Sequence, residues 1–195
     1  YTINDGNSGG NYSVTTNSAS GSINQAALAL SAVTGSKVYD GGTSSTGSVA
    51  VSGLATGDSV SGSSQTFVSK NVLGSNASTL QVNSGYTVND GNSGGNYAVT
   101  THSASGSITQ AALSLSATTG TKVYDGGTSS TGAVAISGLA SGDSVSGSSQ
   151  TFASKNVLGA NASTLQVNSG YVVNDGNSGG NYAVTTNSAT GSITQ

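Results

Sequence analysis

The six residues KVYDGG at 37–42 return at 122–127, an interval of 122 − 37 = 85 positions, and that interval governs the whole chain. Tyr1, Tyr86 and Tyr171 keep it, as do Asp5, Asp90 and Asp175. A fixed period makes the fold a unit used repeatedly, so it has to be read before any local element. The chain divides into 1–25, the C-terminal part of a preceding repeat, and two complete repeats, 26–110 and 111–195. Aligned, the complete repeats differ at 11 of 85 positions. A unit of this length can hold one domain with its own core, since domains begin near about 50 residues. A sequence that opens in mid-repeat reads as a window on a longer array.

Within one repeat the local signals are those of β-structure. AALALSA (26–32) puts Leu28 and Leu30 on one face of an extended segment, and GSVAVSGL (47–54) does the same with Val49 and Val51. STLQVNSGYTV (78–88), NYAVTT (96–101) and GSITQ (106–110) continue the alternation with Leu80, Val82, Val88, Tyr97, Val99 and Ile108. Alternation over four to eight residues marks a half-buried strand. The intervening YDGG, TGD, LGSN and NDGNSGG segments are turn formers. Six or seven short strands at such spacing predict an all-β domain, a sandwich rather than a parallel β-helix, because no rung-length period lies inside the repeat.

Comparison of the two copies extends the expected inward set to Val38, Leu54, Val60, Phe67 and Val72, each identical 85 positions on. Val51 becomes Ile136, a small volume change that a core absorbs. Between Ile108 and Leu113 there is no Pro and no flexible tract, so the last strand of one domain is expected to run into the first strand of the next. A connector that short predicts a stiff, elongated array.

Charge narrows the function classes. Only 6% of residues are charged and the net charge is −3 with four lysines, which argues against nucleic acid, whose binding needs clustered Lys and Arg. No apolar run approaches the roughly 20 residues that span a bilayer. With no cysteine, disulfide frameworks and cysteine-based zinc sites are excluded. The single histidine, His102, is Asn187 in the sister repeat, so it reads as a solvent-facing strand residue rather than the base of a triad. No catalytic residue and no cofactor are expected.

Three polar patterns invite chemistry. In NDGNSGGN (4–11, 89–96 and 174–181), Asp90, Asn92, Gly94 and Asn96 fall at alternating positions, as oxygen ligands do in calcium loops, and Asp175, Asn177 and Asn181 repeat the polar three. The terminal bidentate Glu is missing and one carboxylate supplies little charge, so a hairpin loop rich in turn formers is the plainer reading. Asp40, Asp58 and Asp90 all stand beside glycine, where Asp is favoured for turn geometry; glycosidase-type pairing is the weaker alternative. Lys37 and Lys70, with Asn71 nearby, raise a Lys–Asn isopeptide crosslink, which needs an apolar pocket and an adjacent acid. In KVYDGG, the structural motif Lys37, Tyr39, Asp40, Gly41 (again Lys122, Tyr124, Asp125, Gly126), Asp-Gly-Gly is expected to turn after the first strand. Tyr39 is expected at the domain edge with its hydroxyl partnered, and Lys37 along the surface.

The order KVYDGGT, GLATGDSVS, TFVSKNVL, GGNYAVTT, GSITQAAL resembles the YDG/MBG-type repeat domains of large bacterial surface adhesins, including filamentous-haemagglutinin-like exoproteins. The resemblance covers essentially the whole chain. One departure is Gln25, Gln110 and Gln195, where such repeats often carry Pro. It implies Ig-like sandwiches, an extracellular or cell-surface address, and a non-enzymatic stalk or fibre role, with adjacent identical repeats as partners and a host or surface ligand bound by other domains. Two alternatives stand beside it. Neutral strand edges resist pairing poorly, so like chains could assemble into an extracellular or biofilm filament by strand-edge or strand-donation contacts. Tyr86, Tyr97 and the Asn-rich loops could also make a carbohydrate-binding module.

Overall fold

The computed structural model describes residues 1–195 and contains strands and turns but no helix. The first repeat contributes β1 (Ala26–Ser31), β2 (Gly35–Val38), β3 (Ala50–Ser52), β4 (Ser59–Ser61), β5 (Gln65–Phe67), β6 (Ser78–Val82), β7 (Thr87–Asn89), β8 (Tyr97–His102) and β9 (Ala104–Thr109). The second repeats them 85 positions on as β10 (Ala111–Ser116), β11 (Gly120–Val123), β12 (Ala135–Ser137), β13 (Ser144–Ser146), β14 (Gln150–Phe152), β15 (Ser163–Val167), β16 (Val172–Asn174), β17 (Tyr182–Asn187) and β18 (Ala189–Thr194). Residues 1–25 carry a turn at 5–11 and no strand.

Each unit holds three sheets. A three-stranded sheet has the order β3-β1-β8, a four-stranded sheet the order β2-β9-β6-β5, and β4 pairs with β7. The chain changes sheet twice along parallel paths. β1 runs parallel to β8, and after Ala32–Thr34 the chain continues as β2 parallel to β9; only Ser103 separates β8 from β9. Nine strands therefore follow about seven chain paths, close to the number that the turn spacing implies.

Two residues make the crossing workable. Where the first path leaves one sheet for the other, Val33 loses its backbone partners, and the Gln65 side chain supplies them. Its Oε1 accepts from Val33 N–H at 2.7 Å and its Nε2 donates to Val33 C=O at 2.9 Å. Gln150 does the same for Thr118. An amide side chain can satisfy both backbone groups at once, which is how a buried Gln, 2% exposed in both units, is tolerated. On the parallel path, a Cβ at Gly106 would stand 2.7 Å from Gly35 O and 2.8 Å from a Leu80 methyl. Only glycine lets β2 and β9 close over that leucine.

The core forms in two layers per unit. Leu28, Leu30, Val88 and Tyr97 fill the one under the three-stranded sheet. Phe67, Leu80 and Ile108 fill the one under the four-stranded sheet, and in the first unit this layer is continuous with Leu113, Leu115 and Tyr182 of the second. Its counterpart at the far end, Phe152, Leu165 and Ile193, stands by itself.

The expected inward face of KVY is reversed. Val38 is 59% exposed, while the Lys37 side chain is only 14% exposed. Gly35 lies against Leu80 and Tyr39 is buried, so alternation places Lys37 on their face and Val38 opposite. Lys37 accordingly reaches across the turn, donating to Gly42 O and Ser44 O and pairing with Asp40 at 2.6 Å, instead of lying along the surface.

Candidate functional site: the joint between the units

One residue, Gln110, separates β9 from β10. The register of β10 is fixed at once, because Ala111 N–H donates to Asn181 O and the Gln110 side chain donates to Gly180 O and Tyr182 O. The end of the first unit is thus held directly against the loop 174–181 of the second.

The centre of this contact is Asp143. It sits in a turn closed by its own N–H on Ala140 O, and within its unit it accepts the Tyr182 hydroxyl at 2.6 Å. Tyr182 in turn accepts the Ala140 N–H at 2.8 Å. Half of the cluster is therefore assembled before the neighbour arrives. The first unit completes it: Tyr39 donates its hydroxyl to the same Oδ2 at 2.8 Å, and Lys70 Nζ lies 3.5 Å from Oδ1. The Tyr39 and Tyr182 rings meet edge to face at 5.3 Å between centroids, and Lys70 stands 5.7 Å from the Tyr39 ring centre. The Asp143 side chain is only 3% exposed, and two phenols and an ammonium supply the partners that a buried carboxylate needs.

Beside it a second set of contacts uses the backbone. Asn181 Oδ1 accepts from Val72 N–H at 2.9 Å, its Nδ2 donates to Asn71 Oδ1 at 3.3 Å, and Asn177 Nδ2 donates to Val72 O at 3.4 Å. Gly41, with φ of +82°, passes so close to the turn at 140–141 that a Cβ there would stand 3.3 Å from Ala140 Cβ. The glycines of YDGG thus serve both the turn and the approach.

The electrostatics follow the packing. Burial and the hydrogen bond to Asp143 push the Tyr182 phenol up to about 12, and the same two causes raise Tyr39. The adjoining Tyr39 phenol raises Lys70, helped by the Asp143 charge. All three shifts keep the cluster in the protonation states that bind.

Comparison of the two units shows what the neighbour does. Tyr39 is 4% exposed and Tyr124 50%; Asn181 is fully buried and Asn96 exposed; Lys70 and Val72 are half-buried, Lys155 and Val157 exposed. In the first unit Asp58 receives the Tyr97 hydroxyl at 2.6 Å.

Other expected residues fall elsewhere. Asp40 Oδ1 and Asp125 Oδ1 each cap their turn through the N–H of Gly42 or Gly127, and Lys122 pairs with Asp125 at 2.6 Å. The two carboxylates lie below the ordinary range, first through the paired lysine. In the loop 89–96, Asp90 Oδ1 accepts from Asn92 and Gly94 N–H, and Oδ2 from Asn96 N–H; Asn92 Nδ2 bonds Asn96 Oδ1. Asp175, Asn177 and Asn181 repeat this arrangement. Partial burial pushes both carboxyls up, but the three amides outweigh it and hold them low. The carboxylate that calcium would need faces N–H donors, and no group of three or more His, Asp or Glu side chains is brought together. His102 is exposed on β8, while Asn187 in its place donates to Ser114 and Ser116 hydroxyls. Lys70 faces Asp143 and the Tyr39 ring, and Asn71 faces Asn181. The Tyr97 ring lies in the core, and Tyr86 is half-buried against it.

The sequence reading missed Asp58 and Asp143 as anything beyond turn residues, and missed the pairing of Tyr39 with Asp143. One signal was present. A chain with four lysines places two of them, Lys70 and Lys155, in the same SKNVL segment, a use of scarce charge that turn chemistry does not require.

Residues 24–104 and 109–190 each match the YDG domain. The two matches cover most of the chain, and the protein belongs to the YDG domain family as a tandem of two units. Searches of curated proteins and of solved structures found no match.

Proposed function

We propose that this chain is a segment of a non-enzymatic stalk: tandem Ig-like sandwiches forming an elongated array on a bacterial cell surface or in the extracellular space, holding a distal binding region of an adhesin away from the cell. The observation that carries this reading is the joint. A core layer shared by both units, a one-residue connector and a buried Tyr39–Asp143–Tyr182 cluster are what a spacer needs to transmit force and keep direction. A catalytic or flexible-linker role needs none of them. Stacked repeats are quasi-one-dimensional, so reach grows with copy number; a path such as 97–109 spans about 40 Å at about 3.3 Å per residue. The neutral, amide- and hydroxyl-rich surface suits a shaft that does not bind indiscriminately.

Small-angle scattering and negative-stain microscopy of chains with increasing numbers of units test this. A rod whose length rises by a constant increment per unit supports the stalk. Units that splay independently, or a maximum dimension that saturates, would remove it.

A further inference from the structure

In each complete unit one buried hydroxyl lacks a partner, and two residues before it stands an exposed asparagine whose amide is idle. The first unit has six asparagines, Asn71, Asn76, Asn83, Asn89, Asn92 and Asn96. Five of them use the side-chain amide in hydrogen bonds within the protein. Asn76 is the exception. It is exposed in the turn closed by Ala77 N–H on Gly74 O, and only its backbone is held, its N–H donating to Ser107 Oγ at 2.8 Å. Asn161 is held in the same way by Ser192 Oγ at 2.7 Å. Ser78 opens β6 opposite Gly106 and is 3% exposed; its Oγ is buried without a hydrogen-bond partner, and Ser163 repeats this.

The fold accounts for the asparagine but not for the serine. Asn76 and Asn161 have φ of +54°, a left-handed conformation that Asn tolerates. A buried hydroxyl without a partner costs its desolvation, and Ala at the same place would not. Ser gives way to Ala between the copies at Ser48/Ala133 and at Ser75/Ala160, the second inside this turn, yet Ser78 and Ser163 both stand. Their spacing from the idle amide supplies the reason. Asn76-Ala77-Ser78 and Asn161-Ala162-Ser163 are N-x-S acceptor sequences, in which the hydroxyl is read together with the amide that receives a sugar. The loop that enters the joint carries no such sequence, because Ala98 and Ala183 stand two residues after Asn96 and Asn181. The remaining match, Asn11-Tyr12-Ser13, has an engaged amide and an exposed serine, so it lacks both marks.

We propose that Asn76 and Asn161 are acceptors of N-linked sugar, one in each unit. Nδ2 forms a bond to the anomeric carbon of a sugar activated on phosphate. The C–O bond to that phosphate breaks, its electrons leave with the phosphate, and one Nδ2 proton passes to the transferase. Ser78 is closed off once β6 pairs with β9, so the sugar is added before that pairing. The finished fold accommodates it, since no bond of the fold uses the Asn76 amide. The turn also borders a groove of about 330 Å³ whose lining includes Ser75, Ser107, Thr109 and Gln110, which offers hydroxyls and an amide to a sugar beside the connector. This goes beyond the spacer reading and does not depend on it: sugar would recur at the 85-residue interval along whatever array the units form.

Peptide mass spectrometry of the chain isolated from the cells that make it tests this, beside Asn76→Gln and Ser78→Ala variants made in the same cells. The wild-type chain is expected to carry sugar on Asn76 and Asn161: a single hexose where the donor is a nucleotide sugar, a larger block where it is a lipid-linked oligosaccharide. Each variant should lose the sugar at position 76 and keep it at Asn161. Compared as sugar-free chains from a host without the transferase, Ser78→Ala should melt at the wild-type temperature or above it, because it removes an unpartnered hydroxyl. Wild-type chain without sugar at both positions, or Ser78→Ala that retains it at Asn76, would overturn the proposal. So would a sugar-free Ser78→Ala chain that melts several degrees lower, since the hydroxyl would then serve the fold. None of these outcomes decides whether the array scatters as a rod, so the spacer reading stands or fails separately.

Discussion

Tyr39 and Tyr124 are the same residue of the same motif, yet one is 4% and the other 50% exposed, so the chain carries its own control for the worth of the joint. Tyr39→Phe leaves Asp143 one donor short in a dry site and is expected to cost about 1.5–3 kcal/mol in urea unfolding, the range for a hydrogen bond to a charged group. Tyr124→Phe should stay within about 0.5 kcal/mol, as surface changes do. Asp143→Ala removes the acceptor of two phenols and strands Lys70, for an expected loss of about 3–5 kcal/mol. Raising pH breaks the same bonds, because a tyrosinate can no longer donate to Asp143 and repels it. Tyrosines held above their ordinary value near about 10 stabilise fully below it, and that contribution drains away as pH climbs through the folded value, which is about 12 for Tyr182. Alkaline titration followed by tyrosinate absorbance and circular dichroism should show structure lost between these limits, and Tyr39→Phe should shrink that loss; an unchanged profile would count against the cluster as the alkaline weak point.

At the scale of elements, alternation made the longer strands readable: β1, β6, β8 and β9 stand where Leu28, Leu80, Val99 and Ile108 alternate with polar residues. It could not show that β5, reading QTF, is a core strand, because its buried Gln65 is a polar residue chosen for what the neighbouring backbone lacks. Nor could it show the parity of KVY, which is set by Gly35 lying on Leu80 and holds equally in the second unit, where the Lys122 side chain is only 12% exposed and Val123 is exposed although Tyr124 is half exposed. Half of the candidate site was legible for the same reason: the turn of YDGG is local chemistry, whereas its partner Asp143 lies 104 residues away. Gln65→Ala removes the partner of Val33 N–H and C=O in a part-buried crossing, and the expected cost is about 0.5–1.5 kcal/mol per bond lost. Hydrogen exchange at Val33 should accelerate specifically; uniform exchange would argue that the side chain merely fills space. The loop 89–96 supports a different expectation. Its carboxylate oxygens are already engaged by Asn92, Gly94 and Asn96 amides, so neither calcium nor EDTA should shift the melting temperature. A calcium-dependent rise would show that the amide cage rearranges to receive a cation.

On the scale of the molecule, the question is whether two units unfold as two objects or as one. In a linear array, stability is approximately the sum of each unit's own term and a nearest-neighbour term. The neighbour term is large here, because the layer holding Phe67, Leu80 and Ile108 runs on into Leu113, Leu115 and Tyr182 with no solvent gap. The layer of Phe152, Leu165 and Ile193 forms a separate cluster, and the second unit gains from the joint at its head. Unfolding of the first unit strips cover from Ala111, Asn181 and Asp143, all buried or nearly so, and takes Tyr39 and Lys70 from the carboxylate. Calorimetry of the intact chain is therefore expected to show one transition whose calorimetric and van't Hoff enthalpies agree for both units together. The double variant Tyr39→Phe, Lys70→Ala removes the first unit's two donors to Asp143 while leaving the ring in the shared layer, and should split that transition into two or broaden it to a lower van't Hoff enthalpy. If the double variant melts with the wild-type shape and merely at a lower temperature, the coupling resides in the shared apolar layer and the polar cluster sets only the angle between units. Angle and coupling separate in scattering: loss of the cluster would then shorten the maximum dimension by bending the joint while leaving the cooperative unit at two repeats.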